Sequence, residues 1–370
     1  MRTAIGLMSG TSMDGIDVAL LKTDGADRME FGPCIAVDYP SSIRRQIESG
    51  LQDALEIVDR NQRPGNLAQL ETMLTMQHAE AVTLFLQQNR ITPSSIDELG
   101  FHGQTVLHRP DVGLTVQLGD GPLLARKTGI DVIFDMRAAD MELGGQGAPL
   151  VPVFHKALTT KINAKLPVCF VNIGGISNIT YVDENHLVAF DSGPGNGLID
   201  QWMQAKGGIP YDSGGRIASE GSVIKPIVDR YLAAPYFDKP GPKSLDRGDF
   251  PPLDLQAAEL SDGARSLAQV TAEAVYGSVK HLPKVPRSWV LCGGGRLNQS
   301  IVSGLTALAN RDNASVLLSE DVHLQGDMLE AQAFAYLAVR SRKGLPLTFP
   351  DTTGCSKGTT GGLLATASQQ

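Results

Sequence analysis

The sequence predicts a two-domain α/β protein, and three observations carry that prediction. The chain has 370 residues, and single hydrophobic cores stop growing at roughly 250–300 residues. Apolar runs of strand length alternate with longer segments of helical period. Two stretches, "IGLMSGTSMDGIDVAL" and "VNIGGISNITYV", share one plan: an apolar strand, a tight turn of small residues, and a second alternating strand. One such hairpin opens each half of the chain, which points to two similar domains facing each other across a cleft. Two unrelated hairpins alike by chance are the competing reading of that echo.

In chain order, residues 2–8 and 16–22 read as strands around a polar turn, and 30–38 as a third. In "NLAQLETMLTMQHAEAVTLFLQQNR", Leu67, Leu70, Leu74, Ala81, Leu84 and Phe85 fall near one face at helical spacing, with Pro93 just beyond, so a long helix is expected. Apolar runs at 115–118 and 131–134 flank a helical segment. A new unit is expected after Asp140. The domains are then 1–139 plus 352–370, and 140–351. "LPVCFVNIGGISNITYV" reads as strand, Gly-Gly turn, strand, and "HLVAFDSGPGNGLIDQWM" as strand, glycine-rich turn, helix. Helices are expected near 221–233 and 263–281. "SWVLCGGGRLNQSIVSGLTALA" reads as strand, glycine run, helix, and 327–342 as helix. "GLPLTFPDTTGCSKGTTGG" reads as a loop running into a poorly structured tail.

A hydrophobic content of 42% and a charged content of 19% describe an ordinary soluble protein. The formal net charge of −8 argues against a nucleic-acid or anionic-membrane partner, which would need a basic face. A nucleotide needs only a few local donors and stays open. None of Cys34, Cys169, Cys292 and Cys355 forms a C-x-x-C pair, which suits a reducing compartment. The N-terminus lacks the pattern of a signal peptide, and there is no apolar run long enough to span a membrane, so the cytoplasm is expected.

Three glycine-rich turns follow apolar strands: Gly6 to Gly15, Gly174–Gly175, and Gly293 to Gly295. Glycine lets a ligand approach the backbone, and N–H groups in such turns form anion-binding nests. Ser9, Thr11 and Ser12 add hydroxyl donors. Asp14 and Asp17 suit Mg²⁺ or its waters, and the metal then bridges to phosphates. The opening turn therefore reads as a phosphate-and-magnesium turn, or more plainly as an Asp-Gly hairpin. The P-loop pattern is absent, the glycines of "DSGPGNG" do not fit a dinucleotide fingerprint, and no zinc pattern or α/β-hydrolase elbow occurs.

In "VAFDSGPGNGLIDQW" an apolar strand delivers Asp191 to a flexible turn, where it is placed as a general base or as a simple turn cap. Asn196 is expected to cap the following helix, which carries Asp200. Arg137 is a candidate anion or sugar ligand, with a surface ion pair to Asp135 or Asp140 as the alternative. "GFHGQTVLHRP" places His102, Gln104 and His108 near a strand end. Gln104 suits a sugar hydroxyl or amide, while a lone histidine such as His102 is more often structural.

Together, "GLMSGTSMDGID", "FHGQTV", "TVQLGDG", "DMRAADMELGGQGAPLVPVFH", "VNIGGISNIT", "FDSGPGNGLID", "GPKSLDRGDF" and "LCGGGRLN" run in one order across nearly the whole chain. In this the chain closely resembles the anhydro-N-acetylmuramic acid kinases. The resemblance implies the two-domain actin/sugar-kinase/Hsp70-like architecture, with ribonuclease H-like cores and an active-site cleft between domains. It implies ATP and Mg²⁺ as cofactors, a homodimer, and 1,6-anhydro-N-acetylmuramic acid as substrate. The anhydro ring is opened by water and O6 is phosphorylated, giving N-acetylmuramic acid 6-phosphate and ADP. By the same resemblance Asp191 is the base on the attacking water. Gly10, Thr11, Ser12, Asp14, Gly15 and Asp17 form the first phosphate turn, Asn172, Gly174 and Gly175 the second, and Gly293, Gly294 and Gly295 the adenosine-side turn. Glu330, Gln104 and Arg137 fall to the sugar, and Asp14 and Asp17 to the metal through water. The family often carries an arginine run where this chain has "MRAAD", leaving Arg137 alone. A kinase for another 1,6-anhydro sugar, such as levoglucosan, and an ATP-binding regulatory protein of the same fold are the alternatives.

Overall fold

Short apolar runs build the first strands, β1 (Arg2–Met8) and β2 (Gly15–Thr23). They pair antiparallel, with Met8 opposite Asp17, and β3 (Met29–Asp38) extends the meander. These elements come from a computed structural model that describes residues 1–10, 13–245 and 248–368. Helices α1 (Ser41–Asp53) and α2 (Leu67–Asn89) follow, then β4 (Glu98–Phe101), and β5 (Gln104–Arg109) with its antiparallel partner β6 (Leu114–Leu118). Next come α3 (Gly121–Thr128), β7 (Val132–Phe134), α4 (Ala138–Glu142) and α5 (Pro152–Lys161).

The second stretch of chain repeats the plan. Strands β8 (Val168–Ile173), β9 (Ile176–Val182) and β10 (Leu187–Pro194) form an antiparallel meander. Helices α6 (Gly197–Gly207), α7 (Arg216–Ser219), α8 (Lys225–Leu232) and α9 (Leu260–Gly277) lead to β11 (Ser288–Cys292), α10 (Gln299–Ala309) and β12 (Ser315–Leu318). The chain closes with α11 (Leu329–Arg342), α12 (Pro350–Thr353) and β13 (Leu363–Ala365).

One compact unit comprises Met1–Lys161 with Met328–Gln370, and the other Ile162–Asp327. The sheet of the first has the order β13-β7-β4-β1-β2-β3, and that of the second β10-β9-β8-β11-β12. In both, a three-stranded antiparallel meander continues through its first strand into two parallel strands. The hairpin echo in the sequence is therefore a repeat of whole ribonuclease H-like cores. In the first unit Ile5, Leu7, Ile16 and Val18 are buried in one core with Leu67, Leu70, Leu74 and Phe85 of α2. The second core sets Val171, Ile173, Trp289 and Leu291 with Leu267 and Val270 of α9.

The unit boundaries fall at 161/162 and 327/328 rather than the expected 139/140 and 351/352, and the opposite sheet face of the first unit explains the later one. A Cβ on Gly6 would lie 1.8 Å from the Ala331 carbonyl oxygen, and one on Gly100 would lie 2.1 Å from that of Phe334. Bare glycines on β1 and β4 thus let α11 lie directly on that sheet. The helix belongs to the first unit although it follows the second in sequence. The expected unstructured tail is also corrected. β13 pairs antiparallel with β7 as an added edge strand, and Ala365 is buried.

Candidate functional site

In the second unit, three glycine turns meet at the C-terminal ends of β8, β10 and β11. The Asn196 N–H donates to the Gly174 carbonyl at 2.7 Å, and the N–H groups of Gly195 and Gly197 both donate to that of Gly175 at 3.0 Å. A Cβ on Gly195 would sit 2.2 Å from the Gly174 oxygen, so only glycine permits this contact. Gly293 has φ +71°, and a Cβ there would lie 2.3 Å from Asn172 Oδ1. Arg296, almost fully buried, holds this last turn: it donates to the Gly293 carbonyl at 3.0 Å and pairs with Asp327 and Glu320. Asn196 stands at the N-cap position of α6, but its side chain makes no cap bond. The expected cap is corrected: the residue's backbone N–H ties the two turns together instead.

Asp191 lies on β10 beside a register shift that falls between it and Gly193. Such bulges bend a strand and re-aim its side chains. The skipped residue, Ser192, is buried and bonded to Ser177. A loop of residues 236–245 closes over the aspartate. The Asp191 N–H donates to the Lys243 carbonyl at 3.0 Å, the Leu245 N–H donates to Asp191 Oδ2 at 2.8 Å, and the Tyr236 hydroxyl donates to the Asp191 carbonyl. Burial pushes the Asp191 carboxyl up to about 7, against the Leu245 N–H, which favours the ionised form. A carboxylate tuned toward neutrality suits a general base.

Lys243 anchors the same loop. Its ammonium donates to the carbonyls of Tyr236 at 3.1 Å and Lys239 at 2.8 Å, and sits 4.5 Å from the centroid of the Tyr236 ring. Burial brings it down to about 8, with Lys280 and Lys239 adding repulsion and Asp238 opposing.

In the first unit, Gln104 Nε2 donates to the Gly10 carbonyl at 3.1 Å, while the buried Gln104 Oε1 has no hydrogen-bond partner among the described residues. Thr11 and Ser12 lie outside the described residues. Asp14 is exposed, and its carbonyl accepts from the Tyr39 N–H at 2.8 Å. Gly15 pairs with Asp38, and Asp17 stands in β2 opposite Met8 and Ala36. Among the described residues, no group of three or more His, Cys, Asp or Glu side chains is placed to hold a metal ion.

Arg137 follows β7. It donates to the Gly147 carbonyl at 2.7 Å and to His102 Nε2 at 2.9 Å. The ion-pair alternative fails: Asp135 pairs with Arg60, and Asp140 accepts from the Gly147 N–H and the Thr353 hydroxyl. Burial lowers the Arg137 guanidinium to about 10, with the carboxylates of Glu330 and Asp140 opposing. Glu330, in the first turn of α11, is raised by desolvation, with Arg137 opposing. An arginine held by two neutral acceptors keeps its charge available to an anion.

The sequence profile of the anhydro-N-acetylmuramic acid kinase family matches residues 2–367. The chain belongs to the anhydro-N-acetylmuramic acid kinase family. The family member from Rhizobium johnstonii is 52% identical over 99% of both chains. The one from Brucella canis is 54% identical over 98% of both. Within this kinase family frame, the first unit brings together Gly10 with Gln104, and Arg137 with the field of Glu330. The second brings together Asn172, Gly174, Gly175 and Gly293 to Gly295. Sequence reasoning missed Tyr236, Lys243 and Leu245, which grip Asp191; the motif "GPKSLDRGDF" signals the last two, and nothing signals Tyr236. His102, read from the sequence as structural, is buried and accepts from Arg137.

Proposed function

We propose that this chain is an ATP-dependent kinase that opens the 1,6-anhydro ring of 1,6-anhydro-N-acetylmuramic acid with water and phosphorylates O6, giving N-acetylmuramic acid 6-phosphate and ADP. The observation that carries the reading is Asp191: a carboxyl at about 7, re-aimed by a bulge, on a strand that runs into the glycine turns. As base, it takes a proton from the water that attacks the anomeric carbon. The bridging C1–O6 bond breaks, and O6 takes the γ-phosphoryl group as ADP leaves. The interlocked turns at Gly174–Gly175 and Gly293–Gly295 fit the need of phosphoryl transfer for positioned donors rather than covalent help. Arg137, with its charge uncommitted to a carboxylate bond, suits the sugar's lactyl carboxylate, and Glu330 and Gln104 suit its hydroxyl and amide groups.

Mg²⁺ fits this set as a water-bound ion. Two carboxylates, Asp14 and Asp17, border one turn, and Mg²⁺ in kinases is held by one or two carboxylates together with phosphates. When bound, it would neutralise charge building on the phosphates. Cys34, Cys169, Cys292 and Cys355 all stand as thiols, which fits a reducing compartment, and the family resemblance supports a cytoplasmic homodimer. The test is ADP release with anhydro-N-acetylmuramic acid against levoglucosan, run in ¹⁸O-water. Turnover of the former, with label at the anomeric carbon and none in the phosphate, is expected. Turnover of levoglucosan alone, or label in the phosphate, would overturn the assignment.

A further inference from the structure

His102 stands between two groups that the proposed function uses, and it touches each through a different ring nitrogen. Nδ1 lies 3.3 Å from the Ser9 carbonyl oxygen, next to Gly10 of the first phosphate turn. Nε2 lies 2.9 Å from the Arg137 guanidinium. An arginine has donors only, so Nε2 must be the bare, accepting nitrogen and Nδ1 must carry the proton. That proton points at a carbonyl, which accepts, so both contacts are satisfied by one tautomer. The ring is buried and packed against Phe334, with centroids 4.7 Å apart, and its own backbone N–H donates to the Leu7 carbonyl at 3.1 Å. Ser9 is fixed in turn, its hydroxyl donating to the Gly103 carbonyl at 3.1 Å. The Arg137 Nε is buried without a partner, so His102 and Gly147 supply the two hydrogen bonds that orient this fork among the described residues.

We propose that His102, as the neutral Nδ1–H tautomer, is a positioning residue that locks Arg137 for the sugar with one ring nitrogen and the backbone of the first phosphate turn for ATP with the other. It touches neither substrate; it acts through its two partners. A second proton on the ring would turn Nε2 into a donor facing a cation. Burial and the Arg137 charge hold its pKa well below the usual histidine value, which keeps the acceptor in place.

The proposal rests on the assignment of Arg137 to the sugar and Gly10 to ATP, and its two arms separate in the laboratory. An asparagine amide overlies Nδ1, and a glutamine amide reaches the Nε2 position. His102→Asn therefore keeps the Ser9 contact and loses Arg137, and His102→Gln does the reverse. His102→Asn raises the sugar KM about tenfold and leaves the ATP KM within about twofold, while His102→Gln does the opposite. Both KM values rising together in both variants, or neither moving, would sink the proposal. Arg137→Gln tells the two readings apart. If it leaves the sugar KM unchanged, the sugar assignment itself fails. If it raises that KM while His102→Asn does not, only the role of His102 fails. Because either variant could fold poorly, ¹⁵N side-chain spectra of the wild-type protein give an independent answer. A protonated Nδ1 and bare Nε2 on His102 at neutral pH are required, and the other tautomer or the imidazolium overturns the proposal.

Discussion

Asp191→Asn is expected to cut turnover sharply and, above neutral pH, to make the protein more stable. The asparagine keeps the shape and can still accept from the Leu245 N–H, which donates at 2.8 Å in the wild type. The carboxyl moves from 3.8 in the unfolded chain to about 7 in the folded one. Between those values the native state holds a proton that the unfolded state has lost, so raising the pH destabilises the wild type, and the loss is complete above about 7. The part of that window between about pH 5.5 and pH 7 is worth up to about 2 kcal/mol at 1.36 kcal/mol per pH unit. Residual solvent access reduces this to about 1 kcal/mol. Urea unfolding of both proteins at about pH 5.5 and about pH 8 measures it. The advantage of the variant should grow by about 1 kcal/mol toward the higher pH, while kcat falls by about 10²–10⁴-fold. In the wild type, kcat/KM should fall on the acid side of about pH 7 as the base takes up its proton. A stability difference that is equal at both pH values, or that shrinks toward pH 8, would refute the claim that burial strains this carboxylate.

Lys243→Met keeps the packing on Tyr236 but removes two bonds to carbonyls. The loop that carries the Leu245 N–H should loosen, kcat should fall about tenfold, and the acid limb of kcat/KM should move to higher pH, because a donor to the ionised carboxylate is weakened. Gly195→Ala forces a Cβ to within 2.2 Å of the Gly174 oxygen; the ATP KM should rise about tenfold and stability fall by about 1–3 kcal/mol in thermal unfolding. Gly6→Ala should do more harm to folding than to chemistry, since it pushes α11 off β1, and soluble expression should drop sharply. EDTA should stop turnover, with full recovery on adding Mg²⁺, and should leave the melting temperature unchanged.

Much of the candidate site is legible in the sequence. Asp191, the glycine turns and Arg137 announce themselves because turns and strand ends carry their chemistry in consecutive residues. The grip on Asp191 was not legible in that way. Tyr236, Lys243 and Leu245 reach it from about fifty residues downstream, and Leu245 and Lys243 act through backbone N–H and C=O groups that any residue type supplies. His102 looked like an ordinary buried histidine because its value lies in the two partners it joins, Ser9 and Arg137, which sit 93 and 35 residues away.

The sequence by itself determined the alternation of strands and helices, the two hairpins that open the two cores, and the polar turns that end the key strands. These follow from the local period of apolar residues and from the freedom of glycine. Tertiary structure alone decided that α11 returns to the first unit, that the tail ends in an edge strand, and that burial pushes the carboxyl of Asp191 up to about 7. Each depends on what packs against a residue from far along the chain: a helix backbone against bare glycines, an open β7 edge, and a loop that strips water from a carboxylate.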